Sequence, residues 1–397
     1  MDRTASRRSF LAAGLALPAV ASASRPQNPA LPVPRPLSVP ETGPGFQYRT
    51  LGKTGLRVTT VGMGCMITSD GSVVERAADL GITYFDTARG YQQGNNERMV
   101  GAALKRRRKQ VVLSTKTEAR DKADALAQID TSLKELGTDY VDIWYLHGRT
   151  RAADITDDLI EAQQMAKQAG KIRFAGVSTH GGQPELIPFL ARHEKIDVIL
   201  TAYNFTMEPV MTAVIEQAAK AGKGVVAMKV MAGGPGRGGR GRGRGGANPN
   251  AGKLAQPGAM AAVLRWVTRN PHVATTVPSM TDMDQLADNI KAGTQTYGAD
   301  DEKLLALHRE WLRPSYCNMC GQCDGSCRNG LPVADVLRFV TYAEGYGQFA
   351  LGRERFQELG VELAAVRCGD CPGCTVTCPH GVRVVDRLTR AQELFAC

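Results

Sequence analysis

Between roughly residues 58 and 291, apolar positions fall in two alternating rhythms. Short β-branched runs give way to longer segments with apolar residues three or four apart, and then return. The runs predict strands over 58–62, 82–86, 111–116, 141–147, 172–178, 198–202, 224–229 and 273–278. The longer segments predict helices. Over 122–136, Leu126, Ile129, Leu133 and Leu136 form one stripe, and 155–169 and 209–221 read the same way, the last opening on Pro209. Strands alternating with helices in this manner predict an α/β fold, a (β/α)8 TIM barrel. A doubly wound sheet fits less well, because no G-x-G-x-x-G follows the first strand.

In such a barrel, ligand-facing groups stand at the C-terminal ends of the strands. The polar residues that close the apolar runs are therefore the informative ones: Asp86, Lys116, His147, Ser178, Lys229, and Asn204 just past the sixth strand. Each could instead be a cap, a solvated strand end or a satisfied core histidine. Their convergence on one mouth favours chemistry. Cys65, after the first strand, reads as structural.

The ends of the chain have a different character. Residues 1–24 contain Ser6-Arg7-Arg8-Ser9-Phe10-Leu11, then a short apolar run and Ala21-Ser22-Ala23. That order resembles a twin-arginine signal peptide with its cleavage site, and implies the twin-arginine translocase as a partner and a periplasmic location. The run is too short for a permanent membrane span. Residues 25–46 form a proline-rich linker. The domains expected are thus the barrel over 47–300 and a second unit over 301–397.

Net charge changes little in this picture. Of the formal +10, Arg237, Arg240, Arg242 and Arg244 supply four in one Gly/Arg tract over 233–246. The tract lacks interleaved aromatics, so it reads as a solvated insertion rather than a nucleic-acid site. Its arginines could also reach cofactor phosphates.

Cysteine spacing changes more. Cys317, Cys320, Cys323 and Cys327 read C-x2-C-x2-C-x3-C, and Cys368, Cys371, Cys374 and Cys378 repeat it, with Pro379 after the last and Arg328 at the equivalent place in the first. Three cysteines in seven residues suit neither zinc nor disulfides well. The pattern resembles bacterial ferredoxins, and implies two 4Fe–4S clusters in a small, mainly helical ferredoxin-like iron–sulfur domain. The resemblance also implies crossed ligation. Cys378 would join Cys317, Cys320 and Cys323 on one cluster, and Cys327 would join Cys368, Cys371 and Cys374 on the other. Cys397 is spare.

Phe85-Asp86-Thr87-Ala88-Arg89-Gly90-Tyr91, Ser114-Thr115-Lys116, Tyr145-Leu146-His147, Gly170-Lys171-Ile172-Arg173 and Ala202-Tyr203-Asn204 together resemble the aldo-keto reductases from about Tyr48 to Lys291. The resemblance implies a catalytic tetrad of Asp86, Tyr91, Lys116 and His147, and an NAD(P)(H) cofactor. Hydride would move between the nicotinamide and a small-molecule carbonyl or alcohol. Tyr91 would supply the proton, Lys116 would lower its pKa, Asp86 would hold the lysine, and His147 would polarise the carbonyl. Ser178 and Asn204 would face the nicotinamide amide, and Ser279, Gln285 and Asn289 the adenosine end. Ser279 and Gln285 stand where many members carry cations for a 2′-phosphate, which predicts that NADH binds at least as tightly as NADPH. The clusters imply a redox partner. A second reading is an iron–sulfur electron carrier or interaction subunit on a catalytically silent barrel.

Overall fold

A computed structural model describes residues 45–207, 209–233 and 258–396. The signal sequence, most of the proline-rich linker, nearly all of the Gly/Arg tract and Cys397 lie outside the described residues. An antiparallel hairpin opens the fold, with β1 (Tyr48–Thr50) paired to β2 (Arg57–Thr59). Eight parallel strands follow: β3 (Met63–Gly64), β4 (Tyr84–Asp86), β5 (Val112–Thr117), β6 (Val141–Leu146), β7 (Ile172–Thr179), β8 (Val198–Ala202), β9 (Gly224–Met228) and β10 (Thr275–Thr276). Parallel bridges Val61↔Thr276 and Gly64↔Ser279 close the sheet on itself. At this seam a Cβ on Gly64 would collide with the Val277 carbonyl, so only glycine lets the two chains meet.

The (β/α)8 barrel is therefore present, with its first strand displaced. The segment expected over 58–62 ends the hairpin instead, and the barrel begins at Met63. Val58, Val61 and Met63 are all fully buried, so burial runs unbroken through the point where the chain changes partner. Leu51, Leu56 and Val58 of the hairpin join Tyr84, Val112 and Ile143 in the interior cluster and plug the barrel's N-terminal end. The helices Lys122–Leu136, Asp157–Gln168 and Pro209–Lys220 fall within a few residues of their expected places. Asp121 and Thr156 cap the first two through Asp124 N and Leu159 N.

The boundary expected at residue 301 falls inside a helix that packs on the barrel. Helix Ala299–Leu312 buries Leu305 and Leu312 in the barrel's outer core. Arg265 grips Asp301 with two hydrogen bonds of 2.9 and 2.6 Å. Beyond it the chain forms a helical extension: Val333–Val340, a π-helical turn Thr341–Gly345, Phe349–Gln357, Val361–Ala365 and Val384–Phe395. Val336, Leu337, Val340, Phe356, Leu388 and Phe395 make its core. Glu344 in the π turn accepts from Arg387 and Arg390 of the last helix, each at 2.8 Å. Among the described residues, no helix is long and apolar enough to cross a membrane.

Candidate active site

The polar strand ends converge as the alternation requires. Asp86 closes β4 opposite Ser114 of β5, and Lys116 lies two residues further on the same strand face. Asp86 accepts from Ser114 Oγ at 2.7 Å and from Lys116 Nζ at 2.6 Å. Lys116 also donates to the Thr87 carbonyl at 2.6 Å and lies 3.3 Å from Tyr91 Oη. Its side chain is 1 % exposed. Burial pulls the ammonium's pKa down, and Asp86 opposes that pull.

Tyr91 does not take the expected direction. Its phenol is pushed well above its ordinary pKa, first by burial and then by Asp86, Tyr342 and Glu118, with only Arg355 opposing. Tyr91 and His147 meet edge to face, ring centroids 5.9 Å apart. His147 Nδ1 lies 3.1 Å from Glu118 Oε1, but the alignment is too poor for a hydrogen bond. Proximity to His147 is the leading reason that Glu118 is held low, at about 2, with Arg355 assisting. Burial keeps His147 below its ordinary pKa despite Glu118. His180, 5.7 Å from the His147 ring, is lowered further, by burial and then by Arg338, Lys229, His147 and Lys116.

A cavity of about 350 Å³ opens over this cluster, bringing Asp86 and Tyr91 together with Ser279, Gln285 and Asn289. Ser178 and Asn204 lie off its wall. Ser178 Oγ accepts from Gly148 N at 3.0 Å. Asn204 Nδ2 donates to the Lys229 carbonyl at 3.0 Å and to Tyr316 Oη at 3.1 Å. Gln285 is occupied by Thr281 and Asp282 at the start of its helix. Four residues of the site were not singled out from the sequence: His180 and Tyr346 on the cavity wall, Glu118 beside His147, and Tyr342 against Lys229. Glu118 and His180 stand two residues beyond Lys116 and Ser178, so strand alternation already places them on the same faces.

The cysteines of the extension group across their two motifs. Cys317, Cys320 and Cys323 each feel Cys378, and burial leads in raising the Cys317 thiol to about 12. Cys368 feels Cys371, Cys374 and Cys327. These last four also wall one small cavity. Among the described residues, no three His, Cys, Asp or Glu side chains are gathered as a single metal ion would need.

Comparison with known proteins gives a consistent picture. The model of the Aldo/keto reductase family matches residues 69–306. The uncharacterized oxidoreductase YqkF of Bacillus subtilis is 34% identical over 176 residues, 40% of this chain and 56% of that protein. L-glyceraldehyde 3-phosphate reductase of Escherichia coli is 30% identical over 195 residues, 42% of this chain and 56% of that protein. The chain thus spans little more than half the length of these two relatives. The holo form of an aldo-keto reductase from Bacillus halodurans superposes with a TM-score of 0.56 at 28% identity, covering 66% of this chain and 96% of that one.

The two histidines of the mouth, His147 and His180, predict a stability profile. Their folded pKa values lie below the unfolded value near 6.5, so the unfolded chain binds protons that the folded chain refuses. Their contribution is complete above that pH and is lost as pH falls. The melting temperature should therefore decline from pH 7 to pH 5, with His193 and His308, also lowered by burial, adding to the slope. His180→Asn should flatten this segment in calorimetric scans. Parallel slopes for variant and wild type would show that His180 is not held neutral.

Proposed function

The chain belongs to the aldo/keto reductase family, and we propose that its barrel transfers hydride between NAD(P)(H) and a carbonyl or alcohol. The observation that carries this reading is the buried Lys116–Asp86 pair beside Tyr91, on a cavity that also reaches Ser279, Gln285 and Asn289. These donors fit a nicotinamide dinucleotide: a polar strip for its adenosine end leads to an ionisable mouth. Ser279 and Gln285 supply no cation there, which supports NADH as well as NADPH. When bound, the nicotinamide supplies or accepts the hydride.

The protein's own groups handle the proton. Tyr91 is fully protonated near neutrality, and gives its proton to the carbonyl oxygen as negative charge develops there. Lys116, 3.3 Å away, steadies the phenolate as the proton leaves. Asp86 keeps that lysine charged and aimed. His147, edge to face with Tyr91, donates an N–H to the same oxygen and polarises it. In the oxidative direction each transfer reverses.

The extension is read as an iron–sulfur module with two 4Fe–4S clusters. The pairing of Cys378 with the first motif, and of Cys327 with the second, supports the crossed ligand sets. Such clusters would accept or pass single electrons, with a redox partner at the second set, where Cys374 is exposed. The arginine pair Arg7-Arg8 supports export by the twin-arginine translocase to the periplasm.

Tyr91→Phe should lower carbonyl reduction by about 10² or more while cofactor affinity holds. Unchanged steady-state turnover would remove Tyr91 from the chemistry.

Anaerobically purified protein should contain about eight irons and eight acid-labile sulfides per chain. Cys378→Ser should disturb the cluster of Cys317, Cys320 and Cys323 in cluster-resolved EPR spectra. Damage confined to the other cluster would mean sequential ligation, and zinc without sulfide would end the iron–sulfur reading.

Replacing both arginines of the signal, Arg7→Lys with Arg8→Lys, should leave the precursor in the cytoplasm on fractionation. Normal periplasmic processing would show another export route or none.

A further inference from the structure

Lys229 takes no part in the proton transfer described above, yet it lines the same cavity as Asp86 and Tyr91. It directly follows β9, at the strand end where this fold keeps its ligand-facing groups. Its backbone is left-handed, φ 55°, a conformation that a side chain bearing a Cβ adopts only where its surroundings hold it. The hold is visible. The Lys229 carbonyl accepts from Asn204 Nδ2 at 3.0 Å and from Ala232 N at 3.1 Å. Its Nζ stands 4.6 Å from the ring centroid of Tyr342, 5.3 Å from that of Tyr346, and 3.5 Å from Tyr342 Oη. Both rings come from the extension, which reaches back over the barrel mouth through its π turn.

This geometry repeats that of Lys116 and Tyr91, where Nζ lies 4.7 Å from the ring centroid and 3.3 Å from the hydroxyl. The two pairs differ in counter-charge. Lys116 has Asp86 at 2.6 Å, whereas among the described residues no carboxylate forms an ion pair with Lys229. Asp86, which lines the same cavity, is held by Lys116 and Ser114. Burial, Arg338 and Lys116 all work against the Lys229 charge, and only Tyr342 favours it. An ammonium carries three N–H donors, and a shielded one without a counter-ion is costly until a ligand brings the opposite charge.

We propose that Lys229, clasped by Tyr342 and Tyr346 of the extension, is the anion-binding residue of this pocket and takes a phosphate or carboxylate oxygen of the ligand. The proposal rests on the reductase reading of the cavity and narrows its ligands to anionic ones. The anion has two possible sources, a phosphorylated aldehyde substrate and the pyrophosphate of the cofactor. A lysine acts on either as a point charge.

Isothermal titration of the full chain with glyceraldehyde 3-phosphate, with glyceraldehyde and with NADP+ tests this. Lys229→Asn keeps a residue that tolerates the left-handed backbone, Lys229→Gly is the second variant should that one fail to fold, and Lys229→Arg keeps the charge. A charge-assisted hydrogen bond predicts about tenfold or greater loss of affinity in the uncharged variants, with recovery to within about threefold in the arginine variant. Loss on glyceraldehyde 3-phosphate but not on glyceraldehyde assigns the anion to the substrate, and loss on NADP+ assigns it to the cofactor. Unchanged affinities for both anionic ligands in a folded variant would overturn the proposal. So would equal losses in the asparagine and arginine variants, or a wild type that binds neither anion. Failure of the reductase reading is seen separately, as wild-type protein that binds these ligands but oxidises no NADPH or NADH with any aldehyde.

Discussion

An ammonium with its side chain 1 % exposed at the centre of the barrel mouth sets the terms for what surrounds it. Removing such a charge from water costs several kcal/mol unless partners replace the lost hydration. Lys116 has three donors, and the mouth offers three acceptors: Asp86 Oδ2, the Thr87 carbonyl and Tyr91 Oη. The β4–β5 register makes this possible, because Asp86 lies opposite Ser114 and Ser114 shares a strand face with Lys116. Burial governs the neighbours as well: it is the leading reason that the Tyr91 phenol stands above its ordinary pKa, and Asp86 adds to it. The same dry environment keeps His147 and His180 neutral.

The extension completes this mouth rather than hanging beside it. A π-helical turn often marks a functional position, and here it separates two tasks. On one side Glu344 is fixed by Arg387 and Arg390. On the other, Tyr342 and Tyr346 lie against Lys229. Tyr342 shows how dense the positive charge is at this junction. Burial works to raise its phenol, yet Lys229, Arg338 and Arg355 outweigh that and bring its pKa below the ordinary value. The barrel and its extension thus meet at a cationic surface.

Most of the barrel was legible in the sequence because a buried parallel strand is an apolar run and its polar terminus marks the active face. Asp86, Lys116 and His147 could be placed by that rule alone. The displaced first strand was not legible, since Val58, Val61 and Met63 are buried alike whichever partner their segment pairs with. Helix Ala299–Leu312 marks a related limit: its pattern is that of the barrel helices, and only its partners show that it packs on the barrel. Tyr342 meets Lys229 across 113 residues, and no local pattern encodes which strand end a distant helix will cover. Ser178 and Asn204 show the opposite limit. Their positions follow from the strand pattern, but their hydrogen bonds go to Gly148, Lys229 and Tyr316 rather than to the cavity.

The cysteine sets bear on the pocket through packing as well as through any electrons they carry. The extension's own core holds thirteen buried apolar residues, few for a segment that must stand by itself, and small domains of this kind need a staple. Cys317, Cys323, Cys327, Cys368 and Cys378 all pack against that core, and Tyr342 belongs to it. Cys317 also shares a small cavity with Lys229, Tyr316 and Tyr342. What holds these cysteines in place therefore also bears on Tyr342, which lies against Lys229 of the ligand pocket. On the iron–sulfur reading this mechanical link avoids a mismatch. A hydride carries two electrons together, whereas a 4Fe–4S cluster passes them singly, so direct exchange between the two in one pocket is unfavourable. Coupling through Tyr342 requires no electron to cross. It requires only that the extension hold its shape.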